Sequence, residues 1–185
     1  MTRGKGHDVL LAGLATAAGL SWRCTCAGSL ERDPAFAARV QRDARGLGGL
    51  VRFTGPLTGP DLDRAYAAAD LLVLASRAET YGMVVTEALA RGLPVLATGV
   101  GGVPEALGHG EDGSVPGLLV PPGDPAALGA ALRRWLGDAG LRARLRTAAR
   151  ERRATLRPWS ATTADIAGVL ASVERVLAVT AGAAR

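Results

Sequence analysis

The chain has 185 residues, of which 48% are hydrophobic and 21% are charged. These fractions are those of a globular protein, so they exclude wholesale disorder and predict one domain, with room for a tail. Aromatic residues make up 4%, which excludes a broad stacking platform for bases or sugars. No apolar run reaches the roughly 18 residues that cross a bilayer, and no secretory signal is evident, so we expect neither a membrane span nor a cleaved leader.

The net charge of +5 is concentrated in one region of the chain. Residues 133–157 contain nine arginines against Asp138 and Glu151, an excess of seven, so the remaining chain carries about −2. Such a region could touch nucleic acid or an anionic membrane, or form solvated helix faces with arginines over an acidic neighbour. We favour the solvated faces, expect no nucleic-acid partner and leave peripheral contact with a membrane open.

Apolar patterns and turn residues predict alternating helices and strands along the chain. The predicted helices are His7–Leu20, Pro34–Arg45 with Asp33 as its N-cap, Asp61–Ala69, 82–91 and a short helix near Pro104. The predicted strands are Trp22–Ala27, Leu50–Thr54, Leu71–Leu74, 94–98 and 117–120. After Asp124 the pattern is helical to the end, with one break at Pro158–Trp159.

This alternation, with strands that are apolar throughout, predicts an α/β fold with a doubly wound parallel sheet. We expect one domain over residues 1–158 and a helical C-terminal tail over 159–185. The sequence departs from the fold class in one respect, because it passes from a loop at residues 1–6 directly into a helix. Since the first strand of a Rossmann-like sheet lies at its centre, we expect that strand to be lacking.

Cys24 and Cys26 lie two residues apart in the predicted strand Trp22–Ala27. We expect their side chains to point to opposite faces of the strand, and therefore expect no disulfide framework. Two unpaired, buried thiols fit a reducing compartment, which predicts a cytoplasmic protein.

Residues 75–95 carry the most informative chemistry in the sequence. A buried strand ends near Ser76, a polar loop contains Glu79, and a helix begins close to Gly82. This arrangement presents free backbone N–H groups at the carboxyl edge of the sheet, where Gly82 permits close approach of a phosphate or a sugar. Carboxylates such as those of Glu79 and Glu87 accept hydrogen bonds from the hydroxyl groups of a sugar or a ribose. Backbone donors for a phosphate, flanked by two such acids, predict a nucleotide sugar as the ligand. The alternative is that both are ordinary solvated acids.

Several motifs occur around these residues in a fixed order. Glu79-x₇-Glu87 is followed by ALARGLPV, TGVGGVPE and GLLVPPGD, and is preceded by VRFTG and AAD. Together they resemble the retaining glycosyltransferases of family 4, which have the GT-B fold. The resemblance extends from Lys5–Gly6 to about Trp159. It implies the Rossmann-like, donor-binding C-terminal half of such an enzyme.

The resemblance implies roles for the matching residues. Glu79 and Lys5 are the implied catalytic residues: Glu79 binds hydroxyls of the donor sugar, and Lys5 neutralises the diphosphate and the charge on the leaving group. Glu87 is implied to hold the ribose hydroxyls, and the start of VRFTG to border the base. The implied donor-binding set is Lys5, Val51, Arg52, Glu79, Thr80, Tyr81, Gly82, Met83, Val84 and Glu87.

Lys5 also has an argument of its own. It is the one lysine in a chain with 22 basic residues, and it stands in the loop where the resemblance expects a phosphate-binding cation. Lysine serves a phosphate as a compact point charge. The alternative is a solvated lysine near a terminus.

The implied activity is hexosyl transfer from a UDP- or GDP-sugar to an unknown acceptor, with retention of configuration. We expect no metal or other cofactor, because no Cys, His and Asp cluster has metal-site spacing and the resembling fold binds its donor without a metal. The family's arginine upstream of the lysine, and its N-terminal acceptor domain, would lie before Met1. The alternatives are a non-catalytic nucleotide-sugar-binding module or subunit of a split enzyme, and an inactive truncated fragment.

Overall fold

The computed structural model describes residues 1–157 and 159–183 of the chain. The chain divides into two compact units, Met1–Ala154 and Thr155–Arg185, so the first unit ends shortly before the predicted boundary at residue 158. Helices lie at His7–Ala15 (α1), Pro34–Arg45 (α2), Gly59–Ala67 (α3), Met83–Leu89 (α4), Val103–Leu107 (α5), Pro125–Gly137 (α6), Ala139–Thr155 (α7) and Trp159–Ala183 (α8). Strands lie at Cys24–Ala27 (β1), Val51–Gly55 (β2), Leu72–Leu74 (β3), Val95–Thr98 (β4) and Gly117–Val120 (β5).

The strands form parallel sheets, as the alternation of elements predicts. β1 pairs with β2, while β4 lies between β3 and β5 and is buried along its whole length. Among the described residues no strand pairs with the second edge of β1 or of β3. The described residues therefore form two separate parallel sheets, and we call the gap in strand pairing between these sheets the unfilled position. The sequence analysis expects a central strand to be lacking.

Side-chain packing joins the two sheets within the first unit. One hydrophobic cluster includes Cys26 of β1, Phe36 of α2, Leu96 of β4 and Leu128 of α6. α1 packs against both α2 and α6, and thus against helices that follow different sheets. The unit is therefore held across the unfilled position by a shared apolar core and by α1.

Aspartates cap helices where the sequence predicts their starts. Asp33 Oδ1 accepts a hydrogen bond from the Phe36 N–H at 3.0 Å and begins α2. Asp124 Oδ1 accepts one from the Ala127 N–H at 2.9 Å and begins α6. Each cap satisfies a backbone donor that has no partner within its helix.

The helical region after Asp124 contains a break that the sequence analysis missed. Asp138 Oδ1 accepts a hydrogen bond from the Leu141 N–H at 2.8 Å, and extended backbone at Asp138 separates α6 from α7. A local side-chain bond of this kind competes with continuation of the helix. The predicted break at Pro158 falls on a residue outside the described ranges.

The first helix is shorter than the predicted His7–Leu20. α1 ends at Ala15, and a turn follows in which Thr16 Oγ1 donates to the Gly13 carbonyl at 2.8 Å. Gly19 then adopts φ +89°, a left-handed conformation that ends the helical path. Trp22 is consequently not in the strand, and its Nε1–H donates back to the Ala17 carbonyl at 3.1 Å.

The two cysteines do not point to opposite faces of the strand, and that expectation is wrong. Residues i and i+2 of a strand share a face, because the side chains alternate with a period of two. Cys24 and Cys26 accordingly lie together, with their Sγ atoms 3.9 Å apart, and both thiols are free. The hydrogen-bonding contact with the Cys24 sulfur, together with burial, raises the pKa of Cys26, so this thiol is held protonated.

The second unit contains α8. Its side chains Ile166, Val169, Leu170 and Val173 are exposed, and their spacing of i, i+3, i+4 and i+7 places them on one face of the helix. Within the described residues no helix has both the length and the apolar content to cross a membrane.

Candidate functional site

A cavity of about 550 Å³ lies beside the loop that follows β3. Three separate segments supply its walls: the N-terminal loop, the loop after β3, and α4. The lining residues are Lys5, Glu79, Thr80, Tyr81, Gly82, Met83, Val84 and Glu87. The structure thus brings eight residues of the predicted set together at the carboxyl end of β3.

Backbone contacts fix Lys5 at this cavity. A short 3₁₀ helix over Arg3–Lys5 ends at Gly6, which has φ +62°. A Cβ at Gly6 would lie 1.9 Å from the Ala75 carbonyl oxygen, so glycine alone permits this approach to the end of β3. The Arg77 N–H donates to the Gly4 carbonyl at 2.7 Å, which ties the N-terminal segment to the loop after β3.

An ion pair strengthens the same attachment. The two guanidinium nitrogens of Arg77 each donate to one carboxylate oxygen of Asp8, both at 2.9 Å. Burial alone would raise the pKa of Asp8, but the hydrogen bond and charge of Arg77 outweigh it and lower that pKa. Asp8 is therefore ionised, and the fork-to-fork geometry holds the start of α1 beside the site.

Glu79 is the least exposed charged group in this set of contacts. Its Oε1 accepts hydrogen bonds from Lys5 Nζ at 2.5 Å and from Ser76 Oγ at 2.8 Å. The Glu79 side chain is 12% exposed and that of Lys5 is 49% exposed. One donor of Glu79 is thus a fixed hydroxyl, and the other is a flexible cation that can reach solvent or a ligand.

Glycines hold the Glu79 loop close to a second loop, which precedes α5. A Cβ at Gly101 would lie 1.7 Å from the Glu79 carbonyl oxygen, and the Gly102 N–H donates to the Thr80 carbonyl at 3.1 Å. Gly82 has φ +84°, and a Cβ there would lie 3.1 Å from Val103 Cγ2. The TGVGGVPE motif therefore packs against the backbone of the Glu79 loop and holds it in place.

Glu87 also lines the cavity and is exposed. Tyr66, from α3, donates its hydroxyl to Glu87 Oε2 at 3.0 Å. Burial and the hydrogen bond to Glu87 raise the pKa of Tyr66 to about 12. The phenol consequently stays protonated at neutral pH and orients the carboxylate as a hydrogen-bond donor.

The structure does not bring every predicted residue to this cavity. Val51 and Arg52 lie at the first positions of β2, opposite Cys24 and Thr25 of β1, and line no part of the cavity. That Val51 and Arg52 border a base stays a prediction.

The sequence analysis missed three residues that organise the site. Ser76 and Thr98 are fully buried, and the Thr98 hydroxyl donates to the Ser76 carbonyl at 2.5 Å. Tyr66 was not singled out. A polar residue at the end of a buried strand, three positions before Glu79, was a signal for Ser76, whereas no local signal connects Tyr66 with Glu87.

Over the described ranges, no group of three or more His, Cys, Asp and Glu residues could hold a metal ion.

Comparison with known proteins gives a consistent result. A D-inositol 3-phosphate glycosyltransferase of Salinispora tropica is 42% identical over 126 residues, which are 68% of this chain and 25% of that protein. Anabaena HepE in complex with UDP and glucose superposes with a TM-score of 0.81 at 25% identity, covering 93% of this chain and 46% of HepE. Sucrose-phosphate synthase from Thermosynechococcus elongatus gives a TM-score of 0.79 at 30% identity, covering 95% and 44%.

These coverages show that the chain corresponds to only part of each of these proteins. The chain spans about a quarter of the length of the curated relative and less than half of each solved structure. Its α/β, Rossmann-like fold is that of the C-terminal domains of GT-B proteins. The family model described as "Glycosyl transferases group 1" matches residues 1–138, and the chain therefore belongs to this family of glycosyltransferases.

Proposed function

We propose that this chain is the donor-binding half of a retaining glycosyltransferase of family 4, which transfers a hexosyl group from a nucleotide-diphospho-sugar to an acceptor. The observation that carries the proposal is the convergence of Lys5, the Glu79 loop and Glu87 in one cavity. A cation for the diphosphate and two carboxylates for hydroxyl groups match the three parts of such a donor. Because Anabaena HepE was solved with UDP and glucose, a UDP-sugar is the first donor to test, and a GDP-sugar the second.

In this proposal each residue acts on a different part of the donor. Glu79, held by Ser76, accepts hydrogen bonds from the sugar hydroxyls, and Glu87, held by Tyr66, accepts those of the ribose. Lys5 leaves Glu79 for the diphosphate and stabilises the charge that develops on the leaving group. The acceptor attacks from the face that the nucleotide leaves, so the configuration is retained. The proposed chemistry uses no metal ion.

The acceptor is bound elsewhere in this proposal. The relatives are longer than the chain, and we assign the charged groups of the cavity described above to the donor. We therefore expect residues 1–185 to bind the donor and to transfer the sugar only together with an acceptor-binding N-terminal half. The free thiols of Cys24 and Cys26 support a location in the reducing cytoplasm, and contact with a membrane would come through the acceptor half.

Thermal unfolding of the 185-residue chain with UDP, GDP, UDP-glucose and GDP-glucose tests the donor site. A nucleotide at 100 times its Kd adds about 2.7 kcal/mol, which raises the unfolding midpoint of a domain of this size by several degrees. Glu87→Gln should weaken UDP binding about tenfold or more, since it removes a charged acceptor. Glu79→Gln should weaken UDP-glucose more than UDP, because Glu79 is assigned to the sugar.

Glu31→Gln is the matched control, because Glu31 is exposed and lies outside the cavity. It should leave both affinities unchanged. A cooperative unfolding transition that no nucleotide shifts would contradict the proposal, as would UDP binding that survives Glu87→Gln at full strength. Equal losses of UDP and UDP-glucose in Glu79→Gln would contradict the assignment of Glu79 to the sugar.

A further inference from the structure

A second cavity, of about 650 Å³, lies at the amino ends of β3 and β4, whereas the candidate donor site lies at the carboxyl end of β3. Its walls come from α3, from the turn between α4 and β4, and from α7. Asp70 and Pro94 line it; Asp70 lies two residues before β3 and Pro94 lies directly before β4, whereas Glu79 follows the carboxyl end of β3. The two cavities are therefore separate, and the family resemblance assigns nothing to this one.

Arginine side chains dominate the charge of this cavity, with four arginines against two aspartates in its walls. Arg91 pairs with Asp63 at 2.6 Å, and Arg146 pairs with Asp70 at 2.5 Å. The two arginines that remain are Arg150 and Arg153, both exposed, and in the part of the chain that the structure describes neither forms an ion pair. The cavity thus has two positive charges without a counter-charge from the protein.

These charges are arranged along one helix face. Arg146, Arg150 and Arg153 follow the spacing i, i+4 and i+7 on α7, so like charges lie one turn apart, which is unfavourable for the helix alone. Gly92, which has φ +69°, forms the facing wall, and a Cβ there would lie 3.4 Å from Arg150 Cγ. The glycine leaves room for the Arg150 stem, and an anion between the guanidinium groups would relieve their repulsion.

We propose that this arginine-lined cavity binds a phosphate monoester through Arg150 and Arg153. A guanidinium group presents paired donors that match the oxygens of a phosphate, and a phosphate monoester carries nearly the two negative charges that the cavity lacks. The volume exceeds that of one ion and falls within the range of small-molecule sites. Leu93 and Pro94 contribute apolar surface on which the organic part of the ester can lie.

The cavity is less suited to a nucleobase than to a phosphate ester. Tyr66 is the aromatic residue in its walls, and the Arg91 guanidinium already covers one face of the ring at 4.4 Å from the centroid. The phosphate monoester could belong to a soluble metabolite or to the headgroup of an anionic lipid. Both sources offer the same group to Arg150 and Arg153, and the experiment below separates them.

Calorimetric titration of the full chain with glycerol 3-phosphate at low salt tests the soluble source. We expect binding that weakens as salt is added and that falls at least tenfold in the double variant Arg150→Gln/Arg153→Gln. The matched control, Arg134→Gln/Arg144→Gln, removes two exposed arginines of α6 and α7 outside the cavity and should stay within twofold of the wild type. Arg150→Lys/Arg153→Lys should be intermediate, because it keeps the charge and loses the paired donors.

Asp70→Asn is a variant that should raise the affinity for glycerol 3-phosphate rather than lower it. It removes the carboxylate that occupies Arg146, so glycerol 3-phosphate should bind more tightly than to the wild type. A loss of folded protein cannot produce such a gain. UDP affinity should be the same in the wild type and in Arg150→Gln/Arg153→Gln, since the donor site lies at the other edge of the sheet.

Sedimentation with phosphatidylcholine vesicles, with and without phosphatidic acid, tests the lipid source. Binding of glycerol 3-phosphate alone assigns the cavity to a soluble ester, and binding of phosphatidic acid vesicles alone assigns it to a headgroup, provided that Arg150→Gln/Arg153→Gln loses it. Absence of both kinds of binding would overturn the proposal. Equal losses in the Arg134→Gln/Arg144→Gln control would also overturn it, because the binding would then be due to diffuse surface charge.

Discussion

Tyr66 lines the arginine-lined cavity and contacts a residue of the candidate donor site. Its hydroxyl donates to Glu87 in the candidate donor site, while its ring lies beneath the Arg91 guanidinium in the wall of the arginine-lined cavity. Arg91 in turn donates to the Glu87 backbone carbonyl at 3.1 Å. This single side chain therefore sets the position of a carboxylate to which we assign the ribose.

Tyr66→Phe should weaken UDP binding roughly twofold to tenfold. The substitution removes one hydrogen bond to a charged group. Because Glu87 is exposed and Tyr66 acts on UDP only through Glu87, we expect less than the about 1.5–3 kcal/mol of such a bond. Calorimetric titration with UDP measures the change. Phenylalanine keeps the ring beneath Arg91, so binding of glycerol 3-phosphate serves as the internal control and should not change. An unaltered UDP affinity would show that Tyr66 does not position Glu87.

His7 makes stability depend on pH. Burial lowers its pKa below the usual 6.5, and in the described structure its Nδ1 is buried without a hydrogen-bond partner. The unfolded chain therefore binds a proton more readily than the folded chain, so the free energy of unfolding falls as the pH drops through 6.5 and is fully retained above it.

The unfolding midpoint should accordingly be lower at pH 5.5 than at pH 7.5, and His7→Gln should reduce this difference. His109 lies in an exposed loop, so His109→Gln should leave the difference as it is. Differential scanning calorimetry at the two pH values measures both. If His7→Gln retained the full difference, another group would be responsible.

The residues of the candidate donor site were predictable to different degrees. Glu79, Gly82 and Glu87 lie in one segment that follows a buried strand, so local sequence places them at the same sheet edge. Lys5 was predicted from its type and from the resemblance, and its contact with Glu79 depends on how Gly6 packs against β3. The contact of Tyr66 with Glu87 joins two helices, and no local pattern contains that information.

At the scale of elements, α1 packs closely against α6. Gly13 and Gly129 lie at this contact, and a Cβ at Gly129 would be 2.1 Å from Thr16 Oγ1 and 3.0 Å from the Gly13 carbonyl oxygen. Thr16 Oγ1 also accepts a hydrogen bond from Arg133 Nη1 at 2.5 Å. The small residues let the two helix backbones approach, and the threonine and arginine close the contact at its edge.

Gly129→Ala should therefore destabilise the protein by about 1–3 kcal/mol, the usual cost of overpacking, even though alanine favours a helix. Gly137→Ala is the matched control in the same helix, because apart from its chain neighbours and the backbone of its own helix no atom lies within 4 Å of the position of its Cβ. This variant should be unchanged or slightly stabilised. Urea unfolding of the two variants measures the difference, and equal stability would contradict the close contact of α1 with α6.

The boundaries of elements were less predictable than their order. Helices α2 and α6 begin where an aspartate and a proline mark their starts, because capping is a local interaction. The ends of α1 and α6 depend instead on Thr16 and Asp138, whose side chains bond to nearby backbone groups and stop the helix. A hydrophobic pattern continues through such residues, so it predicts helices that are too long.

At the scale of the whole molecule, the order of strands and helices was sufficient to predict parallel sheets. Each strand is followed by a helix and then by the next strand, which leaves a parallel arrangement as the outcome for neighbouring pairs. The sequence analysis also expects a central strand to be lacking. It does not predict that the cluster containing Cys26, Leu96 and Leu128 keeps the two sheets in one compact unit, because this depends on side-chain packing between the sheets.

The unfilled position also has a consequence for how the first unit opens. No backbone hydrogen bond described here links β1 to β3, so the β1–β2 pair can separate from the β3–β4–β5 sheet without breaking a strand ladder. Native-state hydrogen exchange should then show two levels of protection. The β4 amides should exchange only through global unfolding, whereas the β1 and β2 amides should exchange through a subglobal opening of lower free energy. A single common exchange free energy would mean that the apolar core alone makes the two sheets one cooperative unit.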